Sequence, residues 1–318
     1  MSSVRSAAKV YADQLFSLGH GYPLWDPEPK YHEVAIGDVG WIDNFGAFYP
    51  LFNAVEDLEH ERNREGVPDG HKRFPTPQWR PATGHIPAGV YHSKTVTRLQ
   101  ASAHVGGHGA SGGFHYQCTD KRGAALVIKE AAYRTALHHS RRMSNYMKEN
   151  LHKWLEFAEQ KDVNLSQEDI YFVRGFVKAR SWYVTAWMYE GQSGRLSISG
   201  DLGSAAQAKV DIDYGRDTER SPEHNWGPQG NINQDHPDQC VFLHYYKMKV
   251  RLGFWPVMKA AAEPRDPTPG RDSPEPGGSQ AGTHGLGLYH IEQVPAREKV
   301  CNIMQWRTID LFTLYQGE

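Results

Sequence analysis

Among the 318 residues, one stretch repeats its large apolar side chains at helical spacing over a long run: residues 131–161, where Ala136, Met143, Met147, Leu151, Trp154 and Ala158 step by sevens, fours and threes. The other apolar stretches are short and mostly alternate, at 90–102, 113–119, 124–129, 170–177, 181–189, 195–199 and 209–214, with a denser apolar and basic run at 240–255. This pattern favours sheets over a helical bundle. It predicts an α+β fold in which an antiparallel twisted sheet is packed by the 131–161 helix and interrupted by long irregular insertions. The surplus of sheet and turn formers agrees: aromatics make up 12% of the chain, beside 31 Gly and 19 Pro.

The main domain is expected to span 1–262. A short amphipathic helix at 3–18 ends at Gly19, and an aromatic clip, Gly21-Tyr22-Pro23-Leu24-Trp25-Asp26-Pro27-Glu28-Pro29, follows it. Three prolines remove donors and fix the backbone there, so the clip is expected to lie irregularly over a sheet. A β meander closes the 19–53 region, with strands at 33–36, 41–42 and 47–53 and turns at 37–40 and 44–46. Residues 55–89 carry seven charges between 56 and 65 and then five prolines, which reads as a long surface connection. Residues 215–238 are polar and predicted irregular. Residues 263–283 hold five prolines and four glycines with no large apolar side chain, the composition of a flexible linker or loop. The 284–318 segment recovers an apolar pattern and is expected to dock on the main domain.

Lys plus Arg total 35 against 37 Asp plus Glu, for a net charge of -2, so there is no global field directed at nucleic acid. The three cysteines, Cys118, Cys240 and Cys301, form no pair by spacing and suit a reducing compartment. No signal-peptide core can be drawn at the N-terminus and no run reaches 18 uncharged apolar residues, so a cytoplasmic location is expected. A membrane-spanning β-hairpin leaves no such run and is compatible with this pattern.

The 17 histidines provide two candidate metal sets. His104, His108 and His115 surround a glycine run at 106–113, while His224, His236 and Cys240 come from a loop and a strand start. Solvated loop histidines explain both equally. A divalent metal is what either set would hold, and no other cofactor is expected. The Gly109-Ala110-Ser111-Gly112-Gly113 word matches a nucleophile elbow formally, but a strand follows it in place of the required helix. No residues stand out as a nucleophile or a paired carboxylate, and a catalytic role is not assigned.

Arg134, Arg141 and Lys148, with His138 and His152, would form a basic stripe on the 131–161 helix, suited to anionic lipid, to nucleic acid or to a solvated surface. Leu196, Ile198, Val210, Ile212 and Tyr214 alternate with Ser197, Ser199, Asp211 and Asp213. A half-buried sheet gives this dyad pattern, and so does a hairpin that refolds into a membrane barrel. Trp182 opens the same strand series and joins the candidate membrane or partner residues. Tyr22, Trp25 and Trp41 are the candidates for a ligand surface.

The words Gly-His-Gly-Tyr-Pro-Leu-Trp-Asp-Pro-Glu-Pro, Ile-Gly-Asp-Val-Gly and Gly-Ala-Phe-Tyr-Pro-Leu-Phe-Asn within 19–53 resemble a family of uncharacterised proteins from mushroom-forming fungi. Trp154, the 168–173 segment with Lys178 and Trp182, and the 239–242 segment through Lys247 and Arg251 agree with it, so the resemblance covers most of 10–265. It implies no activity. The order of elements, without any residue motif, is similar to the gasdermin pore-forming domain. The leading expectation is a defence or self-recognition protein acting on membranes through amphipathic hairpins. The alternatives are a non-catalytic ligand- or partner-binding module and a histidine-dependent hydrolase or nuclease. Expected partners are anionic lipid or a protein, self-association included.

Overall fold

The structure is a computed structural model and describes residues 6–75, 81–99, 113–188, 195–199, 212–214, 223–228, 236–250, 256–261 and 291–293. Ser6 caps α1 (Ala7–Leu15) by accepting from the Lys9 amide, a 3-10 turn (Phe16–Leu18) extends it, and Gly19 at φ 78° ends it. The clip then lies along β15 (Gln239–Val250). Within the clip, β1 (Tyr22–Pro23) pairs with Leu243 and Phe242, the Leu24 amide donates to Val241 O, and the Cys240 amide donates to Pro27 O. Its prolines sit where no ladder donor is needed.

The largest sheet runs in the order β17 (Ile291–Gln293), β16 (Pro256–Ala261), β15, β10 (Tyr171–Ala179), β2 (Asp38–Ile42), β3 (Phe48–Asn53), and only the β16–β17 pair is parallel. One edge of β10 is shared. Tyr171 and Phe172 pair with β2, whereas Gly175 to Lys178 pair with β9 (Ala132–Ala136), which in turn pairs with β4 (Ala82–Ile86). Arg174 falls between the two partners, at a register shift in the β10–β15 ladder. Two four-stranded antiparallel sheets complete the described fold. One orders β14 (Glu223–Gly227), β11 (Trp182–Trp187), β8 (Gly123–Ile128), β5 (Gly89–His92); the other orders β13 (Ile212–Tyr214), β12 (Arg195–Ser199), β7 (Gly113–Cys118), β6 (Val96–Leu99).

Period-2 alternation along β10 and β15 sends neighbouring residues to different cores. Phe172, Tyr246 and Met248 join Phe52 and Phe74 beneath α2 (Arg141–Gln160), which contributes Met143, Met147, Leu151, Trp154 and Phe157. Met143, Met147 and Trp154 are almost fully buried, each giving about 1.5–3 kcal/mol of apolar burial. Tyr171, Val173, Leu243 and Tyr245 instead meet Phe16, Leu24, Val34 and Phe48. Tyr11 and Leu15 of α1 pack with Leu126, Trp182, Val184 and Phe242 in a third cluster.

The α+β class with one long helix is the observed fold, and four local expectations are corrected. The long helix begins at Arg141 and not at 131, because Ala132 to Ala136 are held between β4 and β10 and the Ser140 hydroxyl caps the next segment. Residues 38–42 form a strand where a turn was expected at 37–40; Gly40 is required by packing, since a Cβ there would meet Tyr49 O at 2.1 Å. The 55–89 connection is anchored: Asn63 and Phe74 are buried, and β4 lies within it. The polar 215–238 segment contains β14. The 263–283 linker lies outside the described residues, and within 284–318 only Ile291–Gln293 is described.

Candidate functional site

The β2–β3 hairpin carries an aromatic surface. Counting out from its turn, where Asp43 Oδ1 accepts from the Phe45 and Ala47 amides at 2.9 Å each, the ladder pairs Trp41 with Tyr49. Their rings stack, with centroids 5.3 Å apart and planes 18° apart. Tyr31, from the loop after the clip, meets Tyr49 edge-on at 6.1 Å and is 73% exposed. Phe45, at the hairpin tip, is 75% exposed. The charged groups acting on Tyr49 are Asp43, Lys30 and Asp26; burial first, then Asp43, raises its hydroxyl pKa. Lys30 and Asp26 form an ion pair beside it. The result is a pair of parallel rings and a projecting third ring, rimmed by two carboxylates and an ammonium.

Of the three expected ligand-surface residues, only Trp41 is on this surface. Tyr22 packs against Tyr171 and Tyr245 at 6.2 and 6.1 Å, and burial raises its pKa well above the ordinary value. Trp25 is half-buried against Tyr11, edge-on at 5.4 Å. Tyr31 and Tyr49 were not singled out in the sequence. Tyr49 was findable, because pairing outward from the Asn44-Phe45-Gly46 turn places it opposite Trp41.

Trp182 is a core residue: it is 3% exposed in the α1 cluster, and its indole N–H donates to Gln239 Oε1 at 3.0 Å. That placement corrects its assignment to a membrane or partner surface. The basic stripe is also corrected. Arg134 is on β9, opposite Val177 and Gly84, whereas Arg141 is exposed in the first turn of α2 and Lys148 is half-buried, its pKa lowered by burial and by Arg141. Beyond these cations α2 exposes Glu149, Glu156 and Glu159. Leu196 and Ile198 on β12 stand opposite Tyr214 and Ile212 on β13, and Ser197 stands opposite Asp213. Val210 lies outside the described residues.

His104 and His108 also lie outside the described residues, and His115 is on β7, opposite Ser197. The second metal set does not assemble. His224 stacks on Tyr183 and Trp226, His236 pairs with Glu33 at 3.4 Å, and the Cys240 thiol is buried, its pKa pushed up to about 12 by burial. Among the described residues, no group of three His, Cys, Asp or Glu side chains is placed to hold a metal ion. Among the same residues no helix is long and apolar enough to cross a membrane.

Comparison with known protein families, with curated proteins and with solved structures gives no match.

The chemistry of the site therefore rests on its own groups. Elsewhere in the large sheet, Lys247 Nζ donates to the Tyr171 hydroxyl at 2.9 Å and lies 4.4 Å from the ring centroid. Burial lowers its pKa to about 8, against the pull of Asp169 and Glu168. Burial also raises the Tyr171 hydroxyl, so the pair is an ammonium held on a neutral phenol at neutral pH. Asp38 is fully buried and accepts from the Ala35 amide at 2.7 Å and from Asn53 Nδ2 at 2.8 Å, with Arg62 Nη1 3.7 Å away. These bonds fix the start of β2, the strand that carries Trp41.

Proposed function

We propose that this chain is a non-catalytic binding module whose Trp41–Tyr49–Tyr31 surface takes a carbohydrate. The stacked cross-strand pair with an exposed third ring carries the reading. Aromatic faces pack on the C–H faces of sugar rings, and a polar rim fixes orientation by hydrogen bonding to hydroxyls. Asp26, Asp43 and Lys30 supply that rim. Co-sedimentation with a panel of insoluble neutral and charged polysaccharides tests it. Retention of the wild type, reduced by Trp41→Ala and by Tyr31→Ala, is the expected result. Failure to retain the wild type on every polymer, or equal retention of both variants, removes the reading. A cytoplasmic location is proposed with it, supported by the free buried thiols of Cys118 and Cys240.

A second reading, membrane action through the β12–β13 hairpin, is favoured by the register that sets Leu196 and Ile198 against Tyr214 and Ile212 and Ser197 against Asp213. One face of a barrel hairpin must be apolar in this way. Dye release from anionic vesicles by the wild type, abolished by Ile198→Asp, supports it; absence of both binding and release sinks it.

A further inference from the structure

We infer that the buried histidine–arginine cluster around His244 is a binding site for a small inorganic oxyanion of the phosphate class. Phe242, His244 and Tyr246 are alternate residues of β15 and share a face. Phe242 belongs to the α1 cluster and Tyr246 to the α2 cluster, so His244 is a polar break between two apolar cores. His244 is 4% exposed, and both of its ring nitrogens are buried with no hydrogen-bond partner among the described residues.

The four surrounding groups are brought there by separate features of the fold. His20, just beyond the end of the 3-10 turn, packs on Phe242 at 5.5 Å, and His139, just before α2, meets Tyr246 edge-on at 6.3 Å. The two imidazoles therefore bracket His244 along the strand. Opposite His244 is Gly175, which adds no side chain to that face, and on the far side of β10 Arg134 is opposite Val177, one pair along the same face. Arg174, 4% exposed, occupies the register shift at which the edge of β10 passes from β2 to β9. Its carbonyl accepts from the Leu137 amide at 2.8 Å and its Nη1 donates to Leu137 O at 2.7 Å, which clasps the loop bearing His139. A shift of this kind turns a side chain away from the regular alternation.

The electrostatics agree with the geometry. After burial, the groups acting on His244 are Arg174, Arg134, His139 and His20, and all of them push its pKa down. Two guanidinium groups and two further imidazoles stand around a buried ring whose own nitrogens are unsatisfied, and an anion accepting from that ring would relieve the cost of burying it bare. Guanidinium forks and imidazole N–H groups are the donors that an oxyanion requires. The low exposure of Arg174 and His244 limits the ligand to the bare anion. This site is distinct from the Trp41 surface, and its test is independent of carbohydrate binding.

The probe is inorganic phosphate added to the full chain, with chloride at matched ionic strength as control and phenyl phosphate as the bulky counterpart. Phosphate is expected to raise the melting temperature saturably and more at pH 6 than at pH 8, because an anion here favours protonated imidazole. Titration calorimetry in two buffers of different ionisation enthalpy is expected to show proton uptake on binding. His244→Gln, and Arg134→Gln at the half-buried rim, are each expected to weaken phosphate by about tenfold or more through loss of a charge-assisted hydrogen bond. Chloride acting as well as phosphate, both variants retaining wild-type affinity, or phenyl phosphate binding as tightly as phosphate would each overturn the assignment.

Discussion

Asn53 Nδ2 donates to Asp38 Oδ1 across 2.8 Å, and neither residue has exposed surface. Asn53 also donates to Ile36 O and accepts from the Val55 and Glu56 amides, while its own amide donates to Asn63 Oδ1. The pair thus ties both strands of the β2–β3 hairpin to the charged 55–63 segment. Burial raises the Asp38 carboxyl, with His32 and Arg62 acting against it. Asn53→Ala strands two amides and removes a donor from a buried carboxylate, and should cost about 3 kcal/mol or more. The midpoint of urea unfolding measures it. A loss below half a kilocalorie would show that the network contributes nothing net.

Trp182 and Trp41 should respond in opposite ways to truncation. Trp182→Ala opens a cavity beside α1 and strands the Gln239 amide oxygen, for a loss of about 3–5 kcal/mol. Trp41 only packs at the margin of the α2 cluster, so Trp41→Ala should lower the melting temperature far less. Parallel melting curves decide between them; equal losses would place Trp41 in the core and leave the carbohydrate surface without its central ring.

The strands β7, β8, β10 and β12 were legible because alternation survives wherever the chain passes through a sheet. The start of α2 was not, because Ala136 lies seven residues before Met143 and continues the helical spacing by coincidence, while the decisive information, pairing of Ala132 to Ala136 with β10 and β4, is nonlocal. The 55–89 segment misled for a related reason. Asn63 is polar yet fully committed, its Nδ2 donating to Asn53, Glu56 and Asp57 carbonyls, and composition cannot separate a solvated asparagine from a buried one. For the binding surface, Trp41 was visible and Tyr49 followed from the turn, but Tyr31 reaches it only through tertiary folding. The His244 cluster was invisible, since its five members come from five places in the chain.

Lys247 predicts an alkaline rise in stability. Its folded pKa is about 8, below the unfolded value of ~10.4, so between these limits the unfolded chain binds the additional proton and stability increases with pH. Below about pH 8 the amine is charged in both states and the cost of burying it is fully present. Tyr22, Tyr171 and Tyr245 are held neutral by burial, so their ionisation in the unfolded chain reverses the trend above ~10. Burial also keeps the Cys118 and Cys240 thiols protonated where they ionise in the unfolded chain, which opposes the rise above ~8.5. The difference between proteins therefore isolates Lys247: from pH 7 to 10 the unfolding free energy of the wild type should gain on that of Lys247→Met by close to one proton's slope; parallel curves would refute the lowered amine.

His244 gives the acid-side counterpart. Burial, reinforced by Arg174, Arg134, His139 and His20, holds its pKa well below the ordinary value, so the folded chain keeps the ring neutral while the unfolded chain takes up a proton below ~6.5. A depressed folded pKa contributes stability above the unfolded value and loses it as pH falls, here at up to about 1.4 kcal/mol per pH unit for one group. In chloride buffer, the free energy of urea unfolding should drop from pH 7 to 5 in the wild type. His71 is lowered by burial as well, so the difference between proteins, and not the absolute slope, isolates His244. His244→Phe sets an aromatic ring between Phe242 and Tyr246 with no nitrogen to satisfy, and should shallow that dependence by close to one proton while leaving pH 7 stability equal or higher. An unchanged slope would mean that His244 takes up its proton in the folded chain as readily as in the unfolded one.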